Sequence, residues 1–370
     1  MADRFRLVDL VDARIDEFIS DRSSIILSIG PDLAPLTDFS RRFLSGGKRF
    51  RALFCYWGWQ SVAGREGFDP FADVSETDLD SVVSAAAALE IFHAAALVHD
   101  DIIDNSDTRR GSPAAHRLFE STHLESGWAG DADAFGRSSA ILLGDLLLGW
   151  SDELLDVGLE PLGRDRARAT RAEFMHMRTE VTAGQYLDIL EEQAWVRQQE
   201  SEMRSRAERV IVYKSAKYSI QAPLLIGAAI GGSTLDQRAA LRDFGLPLGI
   251  AYQLRDDMLG VFGDSAVTGK PSGDDIREGK RTVLVALARE RLAAGPRNVL
   301  DELLGDPTLG DEQVRMLQRT LTECGAVDAV EALIEDQVSL ALAALEGSTL
   351  TRAAIDELTA LTKTVTRRSS

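Results

Sequence analysis

The chain of 370 residues has only two cysteines, Cys55 and Cys324. Two thiols cannot build a disulfide framework, and no C-x-x-C pair offers a cysteine metal site. They read as thiols of a reducing compartment. Ten prolines are few for this length, and strand-like alternation of apolar and polar residues is essentially absent. Both absences argue against an all-β or sheet-based fold. G-x-S-x-G, H-E-x-x-H and the Walker phosphate loop are also missing, which removes the common hydrolase, zinc-protease and NTPase machineries. Positive charge is scarce: 41 Lys and Arg stand against 59 Asp and Glu, a net charge of −18. Nucleic acid is therefore excluded as the main partner, because backbone binding needs a basic face. A small anionic substrate stays admissible where metal ions and local cations make a positive pocket. The opening Met1-Ala2-Asp3-Arg4 carries no signal-peptide pattern, and no lipidation motif follows. The expectation is a cytoplasmic protein. The longest apolar stretch, residues 81–98, contains Glu90 and His93 and reads as a buried helix, so no stable membrane insertion is expected.

Helical periodicity runs nearly throughout. Apolar residues are 45% of the chain, enough for a sizeable core. The pattern predicts helices at about 6–28, 34–44, 48–64, 77–105, 135–157, 162–192, 200–231, 234–262, 281–293, 297–305, 311–323, 326–346 and 350–366. Residues 64–77, 105–133 and 263–280 read as irregular. With no repeat and no linker, the economical fold is all-α, one large helical bundle forming a single domain over 1–370.

Two acidic clusters stand about 150 residues apart. The first is Asp100-Asp101-Ile102-Ile103-Asp104 at the end of the apolar helix. Asp100 and Asp104, at i and i+4, share one face. A lone D-D-x-x-D is most often a solvated acidic surface. This one ends a buried helix, where uncompensated carboxylates cost several kcal/mol, so it reads as metallated. Mg²⁺ suits it, since that ion takes one or two carboxylates plus substrate phosphate oxygens. The second cluster is Asp256-Asp257, with Gln253 three residues earlier. Between them and upstream lie cations suited to phosphates: Gly46-Gly47-Lys48-Arg49-Phe50-Arg51 opening a helix, and Arg109-Arg110-Gly111, adjacent arginines that can point to different sides and hold two phosphates. His93 lies two turns before Asp100 on the same stripe. Gln185 with Asp188, Lys214-Ser215, Lys270 and Lys280 complete the set; each alone is unremarkable.

In this order the segments resemble the trans-isoprenyl diphosphate synthase (polyprenyl synthetase) family, over about residues 40–285, with C-terminal helices over 286–366. Among its members the actinobacterial geranylgeranyl diphosphate synthases look most similar. The resemblance implies an all-α bundle with a deep central cavity, a homodimer, and three Mg²⁺ ions held with an allylic diphosphate. It implies Asp100, Asp104 and Asp256 as metal ligands, with Asp101, Asp257 and Asp264 in supporting roles. Lys48, Arg51, His93 and Arg110 would hold isopentenyl diphosphate. Arg109, Lys214, Ser215, Gln253 and Lys270 would hold the allylic diphosphate. Asp100, Asp104, Asp256, Lys214 and Arg109 would carry the chemistry. The second family motif usually ends in a third acid, but here Gly260 stands in its place; an aspartate there is expected to change little. Ala95, Ala96 and Phe92 would set chain length. Two alanines leave the pocket open and Phe92 floors it, suggesting a C20 product, with C15 or C25 and longer as alternatives. A terpene cyclase or a non-catalytic modulating subunit are the remote readings.

Overall fold

The computed structural model describes residues 2–64, 76–263, 272–306 and 308–366. Among them the chain is almost wholly helical, and it divides into two compact units. The first is residues 1–172 with 226–233; the second is 173–225 with 234–370. Neither is a contiguous segment, which is why no linker shows in the sequence.

The first unit is built around α4 (Glu76–Ile103), which packs against α1 (Ala2–Ile29), α3 (Phe50–Ala63) and α6 (Ala132–Leu159). A helix covered on every side has no polar face to spare. Accordingly Val82, Ala85 to Leu89, Ile91, Ala95 and Val98 are all buried. This helix is long and apolar enough to cross a membrane, yet most of it lies in the core of its unit. Small residues let α6 lie close along it. A Cβ on Gly144 would fall 2.1 Å from His99 Nε2, and one on Gly158 would fall 2.3 Å from Ser84 Cβ. Ser151 Oγ donates to the carbonyl of Ala88 at 2.9 Å. The helix α2 (Ala34–Leu44) completes the N-terminal region.

Two elements here differ from expectation. The stretch predicted irregular, 105–133, contains a two-stranded hairpin, β1 (Thr108–Arg109) with β2 (Ser112–Pro113), and a helix, α5 (Ala115–Glu125). The helix has no side-chain N-cap. It is held by burying Ala115, His116, Phe119 and His123, with the Phe119 ring edge-on to Phe39 at 4.8 Å. That is tertiary packing rather than local propensity.

In the second unit α10 (Leu235–Phe262) is central. It begins with a capping box between Thr234 and Gln237 and packs against α15 (Ala326–Leu345) and a π-helical segment, Ile211–Gln221. The predicted continuous helix 200–231 is in fact a short 3₁₀ turn, α8 (Met203–Val210), this π segment and α9 (Ala222–Ile230). The long α7 (Arg164–Ala194) precedes them. After α10 come α11 (Asp274–Glu278), α12 (Val283–Arg291), α13 (Ala294–Leu303), α14 (Asp311–Glu323), α15 and α16 (Arg352–Thr366). The short α11 falls in a stretch predicted irregular. The core joins Leu254 and Met258 of α10 to Val283, Leu287, Leu317, Val330 and Ile334.

The tightest approach in the first unit is α9 on α3. A Cβ on Gly227 would lie 1.8 Å from the Cys55 carbonyl oxygen and 2.8 Å from Trp59 N. Alanine gains about 1 kcal/mol of helix propensity over glycine, but overpacking against unyielding backbone costs about 1–3 kcal/mol. Gly227→Ala should therefore destabilise the protein, whereas Gly149→Ala, with open space around it, should gain up to about 1 kcal/mol. Urea unfolding of both variants checks the sign.

Candidate active site

The carboxyl end of α4 is fixed by its own backbone. Asn105 takes the left-handed conformation (φ 53°), and Ser106 N donates to Asp101 O at 2.9 Å, the closing bond of a Schellman turn. Asn is among the few residues that tolerate this conformation cheaply. Asp104 N still bonds Asp100 O at 2.8 Å, so the last turn is intact and Asp100 and Asp104 share a face. Asp101 points elsewhere. It is fully buried, and Arg109 clasps its Oδ1 through Nε at 2.8 Å and through Nη2. Arg109 Nη2 also lies 3.6 Å from Asp100 Oδ2. Burial works against the charge on Arg109, but Asp101, then Asp100 and Asp104, outweigh it and raise its pKa.

The hairpin separates the two arginines. Arg110 (φ 52°) and Gly111 (φ 72°) form its two-residue turn, both in the left-handed region that such turns require. Asp107, at its base, is held by Arg117 at 2.7 Å; Arg117 also bonds Glu120 and Asp133. Arg109 therefore faces the aspartates, while the guanidinium of Arg110 lies against Gly47, where a Cβ would come within 3.4 Å of Nη1. Gly46 and Gly47 both have positive φ, and Lys48 and Arg51 follow at the start of α3. Arg49, which sequence reasoning passed over, is structural. It is buried, donates to Asp12 at 3.0 Å and to the Leu44 carbonyl, and lies 3.4 Å from Glu90. Glu90 in turn accepts from Ala52 N at 3.2 Å, which explains an acid inside an apolar helix.

His93 sits within this cation cluster. Burial first, then the charges of Arg51, Arg110, Arg109 and Arg49, hold its imidazole well below the usual histidine pKa. It is neutral at pH 7 and can donate a single N–H to an anion. So many cations around one point are strained unless an anion joins them.

The second unit holds the other predicted residues. Gly184 of α7 lies under the π segment, where a Cβ would meet Lys214 N at 2.4 Å; Gly249 of α10 does the same to Ala216 O at 2.4 Å. These two glycines let α7 and α10 close on the π segment that carries Lys214 and Ser215. Lys214 is ion-paired to Asp188. On α10 Asp256 is exposed and Asp257 is buried. Gln253, expected at the allylic diphosphate, donates from Nε2 to Asp257 Oδ1 at 2.7 Å. Burial, then the nearby Asp275, pushes the Asp257 pKa up to about 8; Gln253 and Lys280 oppose this, and Asp256 adds to it.

Asp275 is the residue the sequence reading missed. A Cβ on Gly260 would fall 2.0 Å from Asp275 Oδ2, so the carboxylate of α11 occupies the space beside the position where the motif lacks its third acid. Lys280 attends it, 3.4 Å from Asp275 Oδ1 and 2.7 Å from Glu278. An aspartate at Gly260 would bring a second carboxylate against this one, so the expectation that it changes little requires the Asp275 side chain to turn aside. The signal was the pair Asp274-Asp275 shortly after a motif short of one acid. Lys270 and Asp264 lie outside the described residues.

Asp100 and Asp104 in the first unit keep partial exposure, and Asp256 in the second unit is exposed. Among the described residues no group of three or more His, Cys, Asp or Glu side chains could enclose an ion. Paired aspartates such as Asp100 and Asp104 suit a hard cation such as Mg²⁺ completed by substrate oxygens, not a closed protein cage. Of the chain-length residues, Ala95 and Phe92 are buried and Ala96 is partly exposed. Ala96 returns to the Asp100 face four residues earlier, whereas Ala95 falls on the stripe of Ser84, Ala88 and His99 that meets α6.

An all-α chain that carries cations and paired carboxylates of this kind has the residue chemistry suited to diphosphates and hard metal ions. The profile of the polyprenyl synthetase family matches residues 34–321, and the chain belongs to that family. A short chain isoprenyl diphosphate synthase of Methanothermobacter thermautotrophicus is 31% identical over 91% of this chain and 89% of its own. A geranylfarnesyl diphosphate synthase of Aeropyrum pernix is 30% identical over 86% and 87%. The crystal structure of geranylgeranyl pyrophosphate synthase from Corynebacterium glutamicum, complexed with isoprenyl diphosphate and magnesium, is 37% identical and superposes with a TM-score of 0.90 over 98% of this chain and 99% of that one.

The depressed pKa of His93 has a pH signature. The unfolded chain takes up a proton at this residue below about pH 6.5, while the folded chain resists until its lower pKa. Stability should thus fall with pH through that window. In His93→Gln the fall in Tm between pH 7 and pH 5 should be shallower, as read by circular dichroism melts; equal slopes would remove His93 from the cation cluster.

Proposed function

We propose that this chain is a head-to-tail prenyltransferase that condenses isopentenyl diphosphate with an allylic diphosphate. The observation that carries the reading is the hairpin that parts Arg109 from Arg110, one on the aspartate pair and the other on the Gly47-Lys48 loop, as two separate diphosphate sites require. Membership of the polyprenyl synthetase family and the similarity to enzymes named for this reaction support it. The match over residues 34–321, which includes parts of both units, supports treating 1–370 as one polyprenyl synthetase domain.

In this reading Asp100, Asp104 and Asp256 hold Mg²⁺, three ions in all, supported by Asp101, Asp257 and Asp264. The ions supply Lewis-acid neutralisation of the leaving diphosphate. Arg109, Lys214, Ser215, Gln253 and Lys270 bind that diphosphate and add positive charge as the allylic C–O bond breaks. Lys48, Arg51, neutral His93 and Arg110 hold isopentenyl diphosphate so that its double bond attacks the allylic carbon. One C–C bond forms, one proton is lost to the departed diphosphate, and no dedicated protein base is needed. Apolar side chains of α4 keep water away from the cation. The protein is read as a cytoplasmic homodimer; Ile141 and Leu142, exposed at 45% and 64% on α6, are apolar surface available for such a contact.

Diphosphate release measured with Mg²⁺, farnesyl diphosphate and isopentenyl diphosphate tests the reaction. It should require all three. Release without isopentenyl diphosphate would mark a cyclase, and none at all a modulating subunit. Asp100→Ala and Asp256→Ala should each lower turnover by several orders of magnitude. Lys48→Ala and Arg51→Ala should raise KM for isopentenyl diphosphate more than for the allylic substrate, while Lys214→Ala should mainly lower kcat. Equal effects of both sets on both substrates would sink the two-site assignment.

The product is read as C20, geranylgeranyl diphosphate, with C15, or C25 and longer as in the geranylfarnesyl enzymes, as alternatives. Phenylalanine at Ala96, on the Asp100 face, should shorten the product by one isoprene unit, about one helical turn. Ala95→Phe should do the same with an added stability cost, since that site is fully buried. Phe92→Ala should lengthen the chain. Chromatography of dephosphorylated products, unchanged in all three, would show that this helix does not measure chain length.

A further inference from the structure

Two guanidinium groups in the second unit serve no function described above. Arg281 immediately precedes the N-cap of α12 and Arg289 lies two turns further on. Both converge on Trp195, in the connector between α7 and α8. The Arg281 guanidinium carbon stands 3.7 Å from the Trp195 ring centroid and that of Arg289 stands 5.4 Å from it. Their side chains are only 10% and 11% exposed. They share a single carboxylate oxygen, Asp301 Oδ1, at 3.5 Å from Arg281 Nη1 and in contact with Arg289 Nη1. The Nε of each arginine is buried with no hydrogen-bond acceptor, and neither Nη1 makes a well-aligned hydrogen bond. Beside them opens a pocket walled by Gln198, Met203, Thr282 and Val285.

Two neighbouring acids, Glu191, which also lines this pocket, and Glu200, are already engaged. Glu191 is held by Arg206 through two bonds of 2.8 and 2.6 Å, and Glu200 is paired with Arg297. Burial, then Arg289, pushes the Arg281 pKa down to about 10 against the pull of Glu192. Burial also lowers that of Arg289, opposed by Glu200 and reinforced by Arg297. Buried N–H donors without acceptors cost about 1–3 kcal/mol each. A water can meet part of this need but brings no charge. A tetrahedral oxyanion offers several acceptors and negative charge at once, and guanidinium edges match it bidentately.

We propose that Arg281, Arg289 and Trp195 form an oxyanion site of the phosphate class, built within the second unit and using no residue assigned to the transfer reaction. It goes beyond the transferase reading and does not depend on it. The test is isothermal titration with inorganic phosphate in the presence of EDTA. It is run on the Lys48→Ala/Arg51→Ala background, which removes two of the four cationic or donor residues read as holding isopentenyl diphosphate. One phosphate per chain should bind, and adding Arg289→Gln or Arg281→Gln should weaken it at least tenfold. Titration with inorganic diphosphate identifies the natural source: whichever anion binds tighter, loss in the same variants supports the site. Absence of binding, or binding untouched by both variants, overturns it. Should the glutamine variants fail to fold, phosphate-soaked crystals of the unaltered chain decide: tetrahedral density between the two guanidiniums upholds the proposal, and water alone there refutes it.

Discussion

The charge of Asp101 is the constraint on which the aspartate and arginine cluster of the first unit depends. A fully buried carboxylate is tolerable only with a close partner, and removing the partner of such a pair costs about 3–5 kcal/mol. Arg109 is that partner. Because it is committed to Asp101, the hairpin that carries it is anchored to the end of α4, and the next residue, Arg110, is turned the other way onto the Gly47 loop. Asp101 thus stabilises the arrangement without facing the solvent, and Asp100 and Asp104 are the carboxylates left with some exposure. The pair sets geometry more than stability, since a buried ion pair is often matched by an apolar replacement in energy alone.

The second unit solves a different problem: bringing backbone close to backbone. Gly184 and Gly249 remove the side chains that would keep α7 and α10 from the π segment. The π segment itself widens the helical repeat over Ile211–Gln221, and such bulges recur at functional positions. Further along, Gly260 leaves room for the carboxylate of Asp275. The raised pKa of Asp257 follows from the same crowding: burial and a neighbouring acid both favour its neutral form.

Much of the site was legible because its chemistry fixes residue type. A diphosphate demands Lys and Arg, a hard metal demands Asp, and helical spacing puts Asp100, Asp104 and His93 on one stripe. Long periodic helices such as α4 and α10 were legible for a similar reason, since their burial leaves a strong apolar pattern. The helix α5 was not, because it is short, lies in a polar stretch, has no side-chain N-cap and is held by packing of one face. The hairpin was not, being two residues per strand, too short for alternation to register. The hydrogen bond from Gln253 to Asp257 could not be read either: the two are an ordinary i, i+4 pair on any helix.

The sequence by itself determined the all-α class, the family and the cations and acids available for catalysis, because these depend on residue type and on periodicities a few residues long. Only the tertiary structure decided which aspartate of each pair is buried, which arginine turns toward the acids, and that Asp275 fills the space at Gly260. Those outcomes depend on side chains far apart in the chain competing for the same few ångströms, and on desolvation that no local spacing encodes.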